Sequence, residues 1–161
     1  MSKIETQNAI LRAKQTLESF TPLPGDCGRL CGKRCCGGEG LGMELLPGEE
    51  KLSLMEDFGE ITNGVFVCRG VCERRARPYA CMIFPLFPLV KEDENGLRIA
   101  AVNDLRALPV CPIASARLLP SFYRAVRRSA YILCEDPEIR SYLLEKTAEY
   151  EEIEDLKKLL F

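Results

Sequence analysis

The sequence predicts an α+β fold: a small, irregular single domain in which helices at both ends enclose a cysteine-rich loop region and a small antiparallel sheet. Three observations predict it. Apolar residues recur at helical spacing near both ends, two Asn-Gly pairs sit between β-compatible runs, and eight of the nine cysteines fall between residues 26 and 112, several of them in glycine-dense stretches. A chain of 161 residues with 47% hydrophobic content is enough for one core, so residues 1–161 are expected to form one domain. Within it, a cysteine-cluster region spans 26–112 and a C-terminal helical region spans 113–161.

From Lys3 to Phe20, the apolar residues Ile4, Ile10, Leu11, Ala13 and Leu17 mark one amphipathic helix, with Ser2 available as a cap and Pro22 and Pro24 to stop it. Gly25 to Gly42 is dense in glycine and cysteine with little periodicity, so a looped backbone is expected there, ordered by something other than core packing. Pro47-Gly48-Glu49-Glu50 places proline and acid in a first turn, and Leu52, Met55 and Phe58 extend a stripe that predicts a short second helix. Asn63-Gly64 within Ile61–Val67, and Asn95-Gly96 within Leu89–Val102, predict tight hairpin turns. Pro120-Ser121 opens a helix burying Phe122, Ala125, Val126, Ser129, Ile132 and Leu133, and Asp136-Pro137 starts another. The tail is expected to pack on the body through Leu144, Ile153, Leu156 and Leu160.

Composition excludes several classes of chemistry. There is no histidine, which removes Ser-His and Cys-His nucleophile arrangements and every mixed Cys/His zinc site. Any protein-borne metal site must therefore be thiolate-rich, completed at most by carboxylates. A net charge of -2 without a long basic tail gives no electrostatic footprint for nucleic acid. The most apolar stretch, Cys81 to Val90, is interrupted by Pro85 and Pro88 and falls well short of the roughly 20 residues that cross a bilayer. Met1 to Arg12 lacks the apolar core of a signal peptide, so the expected location is the cytoplasm. In such a reducing compartment closely spaced thiols are more often metal ligands than disulfides, and an odd number of cysteines cannot all pair.

The first cysteine cluster places Cys27, Cys31, Cys35 and Cys36 at four-residue intervals ending in an adjacent pair. In a helical turn Cys27, Cys31 and Cys35 would face one way, whereas the glycines at 28, 32, 37 and 38 suit a looped wrap with backbone N–H groups aimed at sulfur. Either geometry converges several thiols on one point. The second cluster supplies Cys68 and Cys72, then Cys81 from Arg77-Pro78-Tyr79-Ala80-Cys81, and Cys111 arrives between Val110 and Pro112. All eight are candidate metal ligands. Two clusters closing on zinc follow the usual logic of structural sites, although zinc ribbons use two-residue gaps and these gaps are of three. Eight thiols exceed one tetrahedral site, so two zinc ions sharing thiolates, or an iron-sulfur cluster, are the alternatives. Cys134, on the apolar side of a helix, reads instead as a small buried hydrophobe.

Taken together, Cys27/Cys31/Cys35-Cys36, Cys68 and Cys72, and Arg77-Pro78-Tyr79-Ala80-Cys81 with Phe84-Pro85 make the sequence resemble the YkgJ-type cysteine-cluster family. That family has a CxxCxxCC-like opening and a later C…RPxxC…P segment. The resemblance covers roughly Asp26 to Pro112 and implies a zinc- or iron-chelating region. A member of the wider group, the flagellin lysine N-methylase, implies that such a cluster can sit in an enzyme.

Basic residues crowd the cysteines: Arg29, Lys33 and Arg34 in the first cluster, Arg69, Arg74, Arg75 and Arg77 in the second. Their N–H groups are placed to stabilise thiolates, or else they simply solvate a surface. Arg124, Arg127 and Arg128 form a further basic ridge, expected to pair with Glu149, Glu151, Glu152 and Glu154, or to dock an acidic partner if the protein is an interaction module with metal as scaffold. Gly37 to Gly42 lacks the Gly-Lys-Ser/Thr ending of a phosphate-binding loop. The residues carry no motif for methyl transfer by themselves, and the sequence names no protein partner. The functional expectation is a metal-binding protein using zinc first, with an iron-sulfur centre in redox or methyl-transfer chemistry as the alternative.

Overall fold

The computed structural model describes residues 3–36 and 42–160. Helix α1 (Lys3–Leu17) leads into α2 (Cys27–Cys31), then strands β1 (Met43–Glu44), β2 (Gly59–Thr62) and β3 (Val65–Cys68). The short α3 (Tyr79–Ile83) precedes the hairpin β4 (Leu86–Asp93) and β5 (Gly96–Asn103), and α4 (Pro120–Leu133) and α5 (Pro137–Leu160) close the chain. This is the expected α+β architecture with helices at both ends. The strands, however, divide into two antiparallel sheets, one ordered β1-β3-β2 and the other the β4-β5 pair. Ser2 and residues 37–41, which include most of the glycine run, lie outside the described residues.

The large core is formed where α1 and α4 pack together over the β4-β5 hairpin and α5 lies along β4. Ile10, Leu17, Tyr79, Met82, Leu86, Val90, Phe122, Val126, Leu133 and Ile139 fill it. Four of the residues expected on the inner side of α4, namely Phe122, Ala125, Val126 and Ser129, are buried, as is Leu133; Ile132 packs at the margin. A smaller core of Leu45, Met55 and Phe66 lies under the three-stranded sheet, with Cys68 against it. At the first position of β2 the approach is close: a Cβ on Gly59 would meet the Val67 carbonyl and lie 2.6 Å from the Phe66 ring, so only glycine fits.

The two hairpins solve the same problem differently. Asn63 and Gly64 both adopt left-handed backbone (φ 51° and 75°), giving the two-residue turn whose twist matches the strands. In the second hairpin Asp93 pairs with Gly96, so Glu94 and Asn95 form the turn and only Gly96 (φ 104°) is left-handed. The Asp93 carboxylate accepts the Asn95 N–H at 2.9 Å, a side-chain-stabilised turn that shifts the expected Asn-Gly centre by one residue.

Several expectations need correction. Helix α1 ends at Leu17, not Phe20, because the Arg74 guanidinium donates to the carbonyls of Leu17 (2.9 Å), Glu18 (3.0 Å) and Phe20, supplying the donors that the last turn of a helix lacks. The expected helix over Pro47–Phe58 is instead two 3₁₀ turns, Glu49–Lys51 and Ser53–Met55, separated by extended backbone at Leu52. Glu49 turns inward there and is fully buried, accepting the N–H groups of Leu46 (3.0 Å) and Tyr79 (2.7 Å). The loop expected over Gly25–Gly42 contains the short α2 and a 3₁₀ turn, Arg34–Cys36.

Helix α5 packs on the body as far as Tyr150 and Glu151. Ile139, Leu143 and Thr147 are buried, Val90 N–H donates to the Thr147 hydroxyl at 2.9 Å, and the Tyr150 ring stacks on Phe87 with centroids 5.2 Å apart. Leu144 packs at the margin, whereas Ile153, Leu156 and Leu160 are exposed, so the tail runs past the core it was expected to cover. Among the described residues no helix is long and apolar enough to cross a membrane.

Candidate metal centre

Each candidate ligand is placed by a short local device. Asp26 opens α2 by accepting the Gly28 N–H at 2.9 Å, and Gly32 closes it in left-handed backbone (φ 63°). The helical turn sets Cys27 and Cys31 four residues apart on one side. A side chain at position 28 would press on the side chains of Asp26 and Lys33 at 3.1–3.2 Å, which favours glycine between Cys27 and Cys31. Lys33 then takes a left-handed backbone (φ 57°), and the 3₁₀ turn that follows presents Cys35 and Cys36 with sulfurs 3.9 Å apart.

The other half of the site comes from the three-stranded sheet and the segments after it. Cys68 ends β3, and its sulfur accepts the Gly70 N–H at 3.3 Å, the kind of backbone-to-sulfur contact that glycine next to a ligand permits. Arg77 donates through Nε to the Cys72 sulfur at 3.3 Å. Cys81 projects from α3, whose first N–H is held by Glu49. Cys111 lies in a turn tied to Ala107, with its N–H on the Ala107 carbonyl at 2.8 Å.

These four segments meet. Cys27, Cys31, Cys35, Cys36, Cys68, Cys72, Cys81 and Cys111 all line a single cavity of about 160 Å³. Cys134 does not; it is buried at the end of α4, with burial pushing its thiol up to about 11. The electrostatic contacts divide the eight thiols into two neighbourhoods. Cys81 senses Cys36, Cys72 and Cys68, while Cys27 senses Cys31 and Cys111. Cys35, next to Cys36, senses both Cys81 and Cys31 and so joins them. Among the described residues, no three Cys, Asp or Glu side chains are drawn close enough together to hold a metal ion as they stand.

Burial is the first cause that pushes the thiols of Cys27, Cys68, Cys81 and Cys111 up, because an apolar wall disfavours thiolate. Cys35 moves up mainly through its hydrogen bond with Cys36. Cys36 moves the other way for the same reason: the Cys35 hydrogen bond stabilises its thiolate against burial, helped by Arg77, Lys33 and a hydrogen bond with Cys68. Within the adjacent pair Cys36 is therefore the more acidic partner.

The basic crowd sorts into distinct roles. Arg77 and Lys33 bear on the thiols. Arg74 lines the cavity and senses Cys27 while its guanidinium donates to the end of α1, and Arg29, Arg69 and Arg75 lie 3.9–4.0 Å from Asp26, Glu60 and Glu18. Nor does the ridge on α4 meet the acidic tail: Glu149 pairs with Lys146, Glu151 with Lys91 and Glu154 with Lys158, while Arg127 donates to the Ile99 carbonyl at 3.1 Å. Arg124 and Arg128 line a pocket together with Gln15, Thr16, Phe20 and Ser121.

Sequence reading missed two buried charged residues, Glu49 and Lys14. Glu49 looked like a solvated first-turn acid, and nothing in its neighbours signals burial. Lys14 carried a readable signal, since it lies four residues after Ile10 and three before Leu17 on the inward face of α1. Compared with family models, with curated proteins and with solved structures, the chain matches none.

Proposed function

We propose that the protein binds metal through the eight cavity cysteines, with zinc as the first choice and a structural or chelating role. The observation that carries this reading is the convergence of eight thiols from four separate segments on one cavity, with the ninth cysteine left in the core. Structural thiolate sites draw ligands from distant knuckles in this way, and in a small domain they contribute folding free energy directly. The spread of the thiols means that uptake would draw them inward as they lose protons. The two thiol neighbourhoods leave room for two ions joined across Cys35 and Cys36. The same residues support placing the chain among the YkgJ-type cysteine-cluster proteins, and nine free thiols suit a reducing cytoplasm.

The number of thiols favours one second reading, an iron-sulfur centre serving redox or methyl-transfer chemistry, since four cysteines hold one such cluster and eight are present. Metal analysis of protein purified without oxygen or added metal, together with its visible spectrum, decides between them. Stoichiometric zinc in a colourless protein supports the first reading. Iron with sulfide and a broad visible band supports the second, and protein that carries neither metal and takes up neither overturns both.

A further inference from the structure

Arg124 and Arg128 stand one turn apart on α4, both exposed, and like charges four residues apart on a helix repel. No carboxylate among the described residues relieves that repulsion. The acidic tail is engaged elsewhere, Glu149 with Lys146, Glu151 with Lys91 and Glu154 with Lys158, and Glu135, just past the end of α4, is held by Arg12 at 2.7 Å. Arg127 donates to the Ile99 carbonyl, which leaves Arg124 and Arg128 as the two members of the ridge without an acceptor among the described residues. Both line a pocket of about 560 Å³ where α4 meets α1, together with Gln15, Thr16, Phe20 and Ser121, and no acidic side chain lines it. The Gln15 amide and the Ser121 hydroxyl add neutral donors to the two guanidiniums.

We propose that this pocket binds a phosphate group, held between Arg124 and Arg128. Guanidinium forks pair with phosphate oxygens through parallel charge-assisted hydrogen bonds, and a doubly charged phosphate between two of them replaces their repulsion with attraction to a shared centre. A carboxylate brings one charge and two oxygens, too few for two guanidiniums, an amide and a hydroxyl, so a phosphate matches this donor set better than an acidic side chain does. Phe20 adds apolar surface beside these donors, which a phosphate ester can use and a free phosphate ion cannot. The pocket shares no lining residue with the cysteine cavity, so the proposal stands whatever the thiols bind.

The test titrates the full chain with inorganic phosphate and with phenyl phosphate by calorimetry at constant ionic strength, and melts it with and without each. Wild type is compared with the double variant Arg124→Gln/Arg128→Gln, with Arg128→Gln alone, and with Arg127→Gln as a charge-matched control outside the pocket. Wild type should bind one phosphate per chain, the double variant about tenfold more weakly or worse, and Arg128→Gln in between, as expected for lost charge-assisted hydrogen bonds. Arg127→Gln should stay within a factor of about three of wild type, since it removes only a neighbouring, solvent-screened charge. In phosphate-free buffer the double variant should melt no lower than wild type, because a repulsion has gone, and it should lose the rise in melting temperature that phosphate gives wild type. Tighter binding of phenyl phosphate than of inorganic phosphate supports the proposal with an ester as ligand, and equal binding supports it with the phosphate group alone. Wild type that shows no saturable binding overturns it, as does acetate binding as well as phosphate. Undiminished binding by the double variant places the anion elsewhere, for instance beside Arg74 and Arg77, and overturns it too.

Discussion

Arg74 and Arg77 stand three residues apart in the same basic run, yet one braces the end of α1 and the other donates to a cysteine sulfur. A single sequence cannot separate them, because the carbonyls that hold Arg74 belong to Leu17, Glu18 and Phe20, more than fifty residues away. The cysteines were easier to sort. Spacing and glycine content marked eight of them as candidate ligands, and those eight line the cavity, while Cys134 fell on an apolar helix face and is 3% exposed in the core. Cys134→Ala should therefore leave metal content unchanged while lowering stability by about 1 kcal/mol through the lost packing of one small buried group. Metal analysis beside a denaturant melt checks both halves, and a fall in metal content would place Cys134 in the site after all.

At the level of elements, helices whose capping chemistry is local were the most legible. Asp136-Pro137 announces α5, and Asp136 accepts the N–H groups of Glu138 (2.9 Å) and Ile139 (3.0 Å). What the sequence hid is the third contact, the Thr6 hydroxyl at 2.6 Å, which ties α5 to α1. Burial alone would raise the Asp136 carboxyl, but these three hydrogen bonds outweigh it and hold the group below its ordinary value. Because the folded value is depressed, its stabilisation is complete above the unfolded value of about 3.9 and is lost as pH falls through the lower folded value. Asp136→Ala should cost about 2 kcal/mol at pH 7, from the lost cap and the buried Thr6 hydroxyl left unpaired, and less near pH 3, below the unfolded value. Chemical denaturation at the two pH values checks this; an equal cost at both would contradict it. The 3₁₀ turns at Glu49–Lys51 and Ser53–Met55 were misread as a helix for the complementary reason. Their geometry is set by a long-range contact, Glu49 on the N–H of Tyr79, which overrides the local apolar stripe.

On the scale of the whole molecule there are two layers with different sources of order. The α1-α4-α5 and β4-β5 layer has a continuous apolar core and was readable from helical periodicity and hairpin turns. The cysteine layer buries little: α2 and the Arg34–Cys36 turn contain no buried residue, and the satellite core beneath the sheet has three. Its helical turn at Cys27–Cys31 could not be chosen over a loop from sequence, since glycine and cysteine carry no periodic signal, and the division of strands into two sheets depends on contacts between distant segments. The meeting of these segments at one cavity is what the metal-binding account explains.

Cobalt(II) titration of the reduced, metal-free protein tests that account most directly, because tetrahedral thiolate coordination gives cobalt intense visible absorption that an ion on carboxylates or bulk water lacks. The account predicts strong thiolate-type bands that saturate at one or two equivalents, are displaced by zinc, and are diminished when Cys36 and Cys81 are replaced by serine. A titration without such bands, or bands unchanged by those replacements, would contradict it.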